Sequence, residues 1–119
     1  MTTKEIANSL AELCRKGDFE TARKELFSED AVSIEPYASP AFKKETKGLK
    51  AILEKGKKFG EMVEEMYGNT VSEPVIAGNA IALKGSMDVK MKGRERESMS
   101  ELCIYTVKNG KIISEQFFM

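Results

Sequence analysis

Apolar residues recur three and four positions apart at Ile6, Leu10, Leu13 and Cys14. That spacing predicts a helix. Thr2 with Glu5 three residues on has the form of a capping box, and Gly17 is placed to stop the helix. Phe19, Ala22, Leu26 and Phe27 form a second stripe, with Asp18 positioned as its cap and Glu20 in its first turn. Residues 30–37 then alternate. Val32 and Ile34 point one way, Ser33, Glu35 and Tyr37 the other, which predicts a strand, and Pro36 marks its edge or end. Residues 38–47 are polar and contain Pro40, so they read as a loop or flap, with room for a short strand around 42–46.

Residues 47–67 carry the longest helical pattern, with Leu49, Ile52, Leu53, Phe59, Val63, Met66 and Tyr67 on one face and Met62 at its margin. Gly56 and Gly60 lie on that stripe. Each glycine costs about 1 kcal/mol against alanine inside a helix. The pair predicts either a bend or a place where a strand or ligand comes close to the backbone. Four strands follow, over residues 70–77, 80–92, 95–107 and 111–118. In the second, Ile81, Leu83, Met87, Val89 and Met91 share one face, and Lys84, Ser86, Asp88, Lys90 and Lys92 the other. Asn109-Gly110 between apolar runs is a strong hairpin signal. The order is helix, helix, strand, long helix, antiparallel meander. It predicts one α+β domain over residues 1–119, with a curved antiparallel sheet wrapped around the long helix and a cone open at one end.

Composition narrows the chemistry. Nineteen basic and nineteen acidic side chains cancel in a chain of 119 residues, so no global field favours nucleic acid or an anionic membrane. No apolar run is long enough to span a bilayer, and the first residues lack the apolar core of a signal peptide. Two cysteines without an export signal read as reduced thiols, which points to a cytoplasmic protein. There is no histidine. Ser-His-Asp and Cys-His catalysis are therefore excluded, as are histidine-ligated metals, and two cysteines cannot hold zinc alone. No cofactor and no metal are expected. Proton transfer would fall to a carboxylate, Tyr, Lys or Cys with a shifted pKa.

The candidates are the strand carboxylates Glu35, Asp88, Glu101 and Glu115, the phenols Tyr37, Tyr67 and Tyr105, and Cys103 with Gln116. A carboxylate raised by an apolar cone and facing a Tyr donor is a workable proton shuttle for enolisable carbonyls. The competing reading is that these charges are solvated or pair with Lys84, Lys90 or Arg96. Hairpin register decides the matter. A two-residue turn at Asn109-Gly110 sets Tyr105 against Ser114 and Cys103 against Gln116, with Glu115 outward. A three-residue bulged loop sets Cys103 against Glu115 and brings Glu115 inside with Glu101.

Gly17-Asp18, residues 28–33 (SEDAVS), residues 47–52 (KGLKAI) and above all residues 103–114 (CIYTVKNGKIIS) resemble the SnoaL-like branch of the nuclear transport factor 2-like superfamily. The resemblance implies a cone with a deep pocket, and Glu101, Cys103, Tyr105 and Val107 facing it. It also implies a homodimer through the outer sheet face, where Leu102 and Ile104 are apolar. Relatives include polyketide cyclases, ketosteroid isomerase, epoxide hydrolase and non-catalytic binding domains.

The site expected from all this has Glu101 or Glu115 as base and Tyr105 or Tyr37 as donor. Its lining draws on Glu35, Tyr37, Phe59, Val63 and Tyr67, and on the strand residues Met87, Met99, Cys103, Gln116 and Phe118. Its guest would be an apolar or weakly polar small molecule. The alternatives are an isomerase, cyclase or lyase of enolisable carbonyls, and an interaction module in which the cone is purely structural.

Overall fold

The computed structural model describes all 119 residues. Helix α1 (Thr3–Arg15) begins at Thr2, whose hydroxyl accepts from the Glu5 amide while the Glu5 carboxylate accepts from the Thr2 amide. The capping box is therefore closed on both sides. The helix ends where Gly17 takes a φ of +78°. Helix α2 (Phe19–Leu26) follows, but the Asp18 side chain makes no capping bond. Strand β1 (Phe27–Ile34) starts where α2 stops, three residues before the sequence pattern places it. After the loop come β2 (Glu45–Lys47), α3 (Leu49–Met62), β3 (Val63–Val71), β4 (Val75–Ala77), β5 (Ala80–Met91), β6 (Arg96–Lys108) and β7 (Lys111–Phe118).

Two expectations are corrected here. The long helix ends at Met62, and Val63, Met66 and Tyr67 belong to β3. The Val63 amide still bonds back to Gly60 as a cap, and the chain then turns to pair with β5. That pairing carries two register shifts, so β3 shows no clean alternation, and its Met and Tyr fall at helical spacing by accident. The expected strand over 70–77 is likewise split at Ser72–Pro74 into the end of β3 and a separate β4.

The strands form one sheet in the order β2-β1-β7-β6-β5-β3, with β4 added on β5. β1 and β7 run parallel; the other pairs are antiparallel. The core joins Ile6, Leu10 and Cys14 of α1, Ala22 and Leu26 of α2, and Ile52 of α3 to Ile81, Leu83, Tyr105, Val107 and Ile112 on the inner strand faces. All three helices thus cover one side of the sheet. Ile52 is the single fully buried residue of α3.

α3 runs unbroken through both glycines. At Gly56 a Cβ would lie 2.8 Å from an Arg23 guanidinium nitrogen, whereas at Gly60 nothing lies within 4 Å. The close approach foreseen for the pair is real at Gly56, but a side chain of α2 makes it, not a strand. Gly60→Ala is expected to raise stability by about 1 kcal/mol, read as a higher urea midpoint. Gly48→Ala should lower stability, because Gly48 sits at φ +91°.

Candidate functional site

The last hairpin settles the register in a way neither simple turn supplies. Asn109 and Gly110 both take positive φ, 53° and 75°, and Lys108 pairs with Lys111 across a two-residue turn. Val107 faces Ile112, but Thr106 faces Ser114, so Ile113 is an extra residue and β7 bulges there. Beyond the bulge Tyr105 pairs with Glu115 and Cys103 with Phe117. Glu115 and Phe117 therefore point inward. Gln116 and Phe118 lie on the opposite face, contrary to the lining expected from the sequence, and Phe118 is 47% exposed.

Glu115 is 1% exposed. A carboxylate so placed needs partners. Ser33 Oγ of β1 donates to Glu115 Oε1 at 2.8 Å. Lys55 Nζ of α3 donates to Ser33 Oγ at 2.6 Å and to Glu35 Oε1 at 2.9 Å. The same ammonium lies 5.6 Å from the Phe117 ring centroid. Three elements thus converge on one polar chain, Glu115–Ser33–Lys55–Glu35, set among apolar neighbours. It forms because the polar face of β1 turns inward: Ser33 is fully buried, while Val32 and Ile34 take the outer side and remain partly exposed.

Glu101 lies further along the inner face of β6, half-buried, and its Oε1 accepts from the Cys103 thiol at 3.6 Å. Burial pushes the Glu101 carboxyl above its usual range, and the charges of Glu35 and Glu115 add to that rise. Burial also pushes the Cys103 thiol and the Tyr105 phenol well above their ordinary values, and Cys14 up to about 11. Cys103 is accordingly a buried thiol and no nucleophile, and Tyr105 can act only as a proton donor.

The rise at Glu101 fixes a pH dependence. A folded-state pKa above the unfolded one means that the native chain holds this proton more tightly. The stabilisation is complete below the ordinary glutamate value of 4.5 and is lost as pH climbs through the raised value. Glu101→Gln should therefore flatten this part of the profile and raise the melting temperature at neutral pH. A thermal-melt series across pH checks it; an unchanged slope would exclude a desolvated Glu101.

The other candidates are scattered. Phe59 and Val63 on α3 and β3, and Met87 and Met99 facing each other on β5 and β6, are partly buried. Tyr37 is 66% exposed in the loop after β1. Tyr67 is exposed, with the Arg96 guanidinium 3.9 Å from its ring centroid, and Arg96 in turn forks onto Asp88 at 2.9 and 2.7 Å. Tyr37, Tyr67 and Asp88 are thus outside the convergent group: the first lies on a surface loop, and the others form an exposed ion pair and stack across β3, β5 and β6. The expected flap is tied to α3, since Lys58 Nζ donates to Ala41 O at 2.6 Å and lies 5.3 Å from the Phe42 ring centroid.

Sequence reading missed Ser33, Lys55 and Arg23. A signal existed for the two cations. Lys55 falls on the apolar stripe of α3, between Ile52 and Phe59, and Arg23 on that of α2, between Phe19 and Leu26. A long cation on a buried stripe is the informative exception.

Two hollows are defined, one beside β5, β6 and β7 and one where α2 and the first residue of α3 meet β1. One, of about 230 Å³, opens beside Lys84, Ser100, Leu102 and Phe118. The other, of about 660 Å³, lies beside Lys24, Phe27, Glu29 and Lys111. No group of side chains that could hold a metal ion is present, and no helix is long and apolar enough to cross a membrane.

A helix-backed sheet of this order is the cystatin-like, nuclear transport factor 2-like fold. A Burkholderia pseudomallei protein of that type and of unknown function superposes with a TM-score of 0.80 at 12% identity, over 100% of this chain and 92% of its own. A Catenulispora acidiphila protein with a ketosteroid isomerase-like fold, solved with trimethylamine, gives 0.74 at 18% identity, over 99% of this chain and 87% of its own. The SnoaL-like domain model matches residues 1–119, and the chain belongs to that family. A Mesorhizobium loti protein classed with the SnoaL-like polyketide cyclases is 35% identical over 100% of both chains, with a TM-score of 0.93. No curated protein matches the chain.

Proposed function

We propose that the inner face of the sheet receives an apolar or weakly polar small molecule between α3 and strands β5 to β7. The observation that supports this most is the buried chain Glu115–Ser33–Lys55–Glu35. Ion pairs inside a protein are seldom more stabilising than apolar packing, so a satisfied polar cluster facing the helix is a mark of function. The probe is a panel of neutral cyclic ketones and aromatics, read by thermal shift and by solution NMR of the protein. Shifts confined to Glu101, Tyr105, Glu115 and Phe59 carry the reading. Shifts at the outer sheet face alone would sink it.

The state of Glu101 favours a second reading, isomerase or cyclase chemistry on an enolisable carbonyl. An ionised carboxylate in a dry site is a stronger base than one in water. Glu101 would take the α-proton, and the Tyr105 phenol would donate to the developing enolate oxygen. Both side chains lie on the inner face of β6, with Cys103 between them. In deuterated buffer the protein should speed loss of the α-proton signals of 2-tetralone, and Glu101→Gln should return the rate to that of buffer. Equal rates for both proteins would leave binding without catalysis.

The outer face bears on assembly. Leu102, 44% exposed, pairs with Phe118, 47% exposed, and Ile104 lies beside them. A second copy of the chain is the simplest cover for this face. Leu102→Glu with Phe118→Lys should shift the mass in light scattering from two chains to one. An unchanged mass would remove the homodimer.

A further inference from the structure

Arg23 is the one inward cation without a counter-ion. The seven ion pairs of the protein use Arg15, Lys16, Lys24, Lys47, Lys55, Lys90 and Arg96. Arg23 is half-buried. Its guanidinium rests against α3, where only the missing side chain of Gly56 makes room, since a Cβ there would stand 2.8 Å from Nη1. Its place beside the buried Ala22 and Leu26 of α2 and its approach to Gly56 set the head group between α2 and α3, and its charge opposes the rises at Glu101, Tyr105 and Cys14. Lys55 cannot serve the same purpose, because Glu35 and Ser33 already hold it.

We propose that Arg23 is the anion-holding end of the site: its guanidinium, lying over the bare backbone of Gly56, receives the carboxylate of a singly charged organic guest. This rests on the reading of the cone as a small-molecule site and narrows the guest to an apolar body with one carboxylate end. The planar fork of arginine fits the two oxygens of a carboxylate. Charge selects against a dianion such as a phosphate monoester, which would also face Glu35, Glu101 and Glu115. The remainder of the guest lies along the apolar inner face toward Tyr105, with the polar cluster beyond it.

The test compares benzoate with benzamide, which share a shape and differ in charge, by titration calorimetry on the whole chain. Benzoate should bind about tenfold more tightly than benzamide, the scale of one charged hydrogen-bonded pair. Arg23→Gln should erase that preference. Gly56→Ala keeps the charge but crowds the guanidinium out of its place, and should weaken benzoate several-fold while the fold persists. Equal binding of the two probes by the natural chain would overturn the proposal, as would a preference that survives Arg23→Gln or tighter binding of trimethylamine than of benzoate. Benzamide binding alone would overturn only the anion-holding role. Failure of both probes and of every neutral ketone would overturn the cone reading with it.

Discussion

Replacing Lys55 by methionine is expected to cost about 3 kcal/mol, the lower part of the range for removing one partner of a buried pair. The Lys55 side chain is 12% exposed and that of Glu35 24%, so some solvent screening remains. Methionine keeps the length of the stem but leaves Glu35 without its cation, and Ser33 with one hydrogen bond fewer. In a domain of this size the loss corresponds to a fall in melting temperature of about 10 °C. Lys55→Met with Glu35→Gln should recover much of it, because the amide removes the charge left unpaired. A fall of less than about 2 °C, within the range of surface substitutions, would mean that the cluster is solvated and contributes little.

Ile52→Ala should have an effect of similar size for a different reason. Ile52 is fully buried and is the only such residue on α3; Leu49, Leu53 and Phe59 are partly exposed. Truncating a buried isoleucine to alanine costs 2–5 kcal/mol, and about 3 is expected here. The urea midpoint measures it. Hydrogen exchange locates it: amides of α3 should exchange faster than those of α1, which buries five residues. Uniform acceleration across the chain would mean that α3 is no separate unit.

Much of the fold was legible because local and global signals agree. The capping box at Thr2, the Gly17 stop, the alternation of β5 and the Asn109-Gly110 turn each declare themselves within a few residues. The end of α3 was hidden because β3 pairs irregularly and its Met66 and Tyr67 extend a helical spacing. The site was half legible. Glu101, Tyr105 and Cys103 share a face by simple alternation. Whether Glu115 joins them depends on the extra residue at Ile113, and a bulge leaves no mark in a run such as KIISEQ. Tyr37 and Gln116 were drawn into the expected lining by residue type and unbroken alternation, and the loop after β1 and the bulge remove them.

The bond between Ser33 and Glu115 spans 82 positions of sequence. It lies across the parallel pairing of β1 and β7. Pairings this distant are slow to nucleate, because loop-closure entropy is spent before the contact returns anything. The β6–β7 hairpin can zip locally within microseconds, but the polar cluster has to wait until both ends of the chain meet. Refolding should therefore show the β6–β7 hairpin first and the β1–β7 pairing with its polar cluster last, so that the chain matures as a scaffold before it becomes competent.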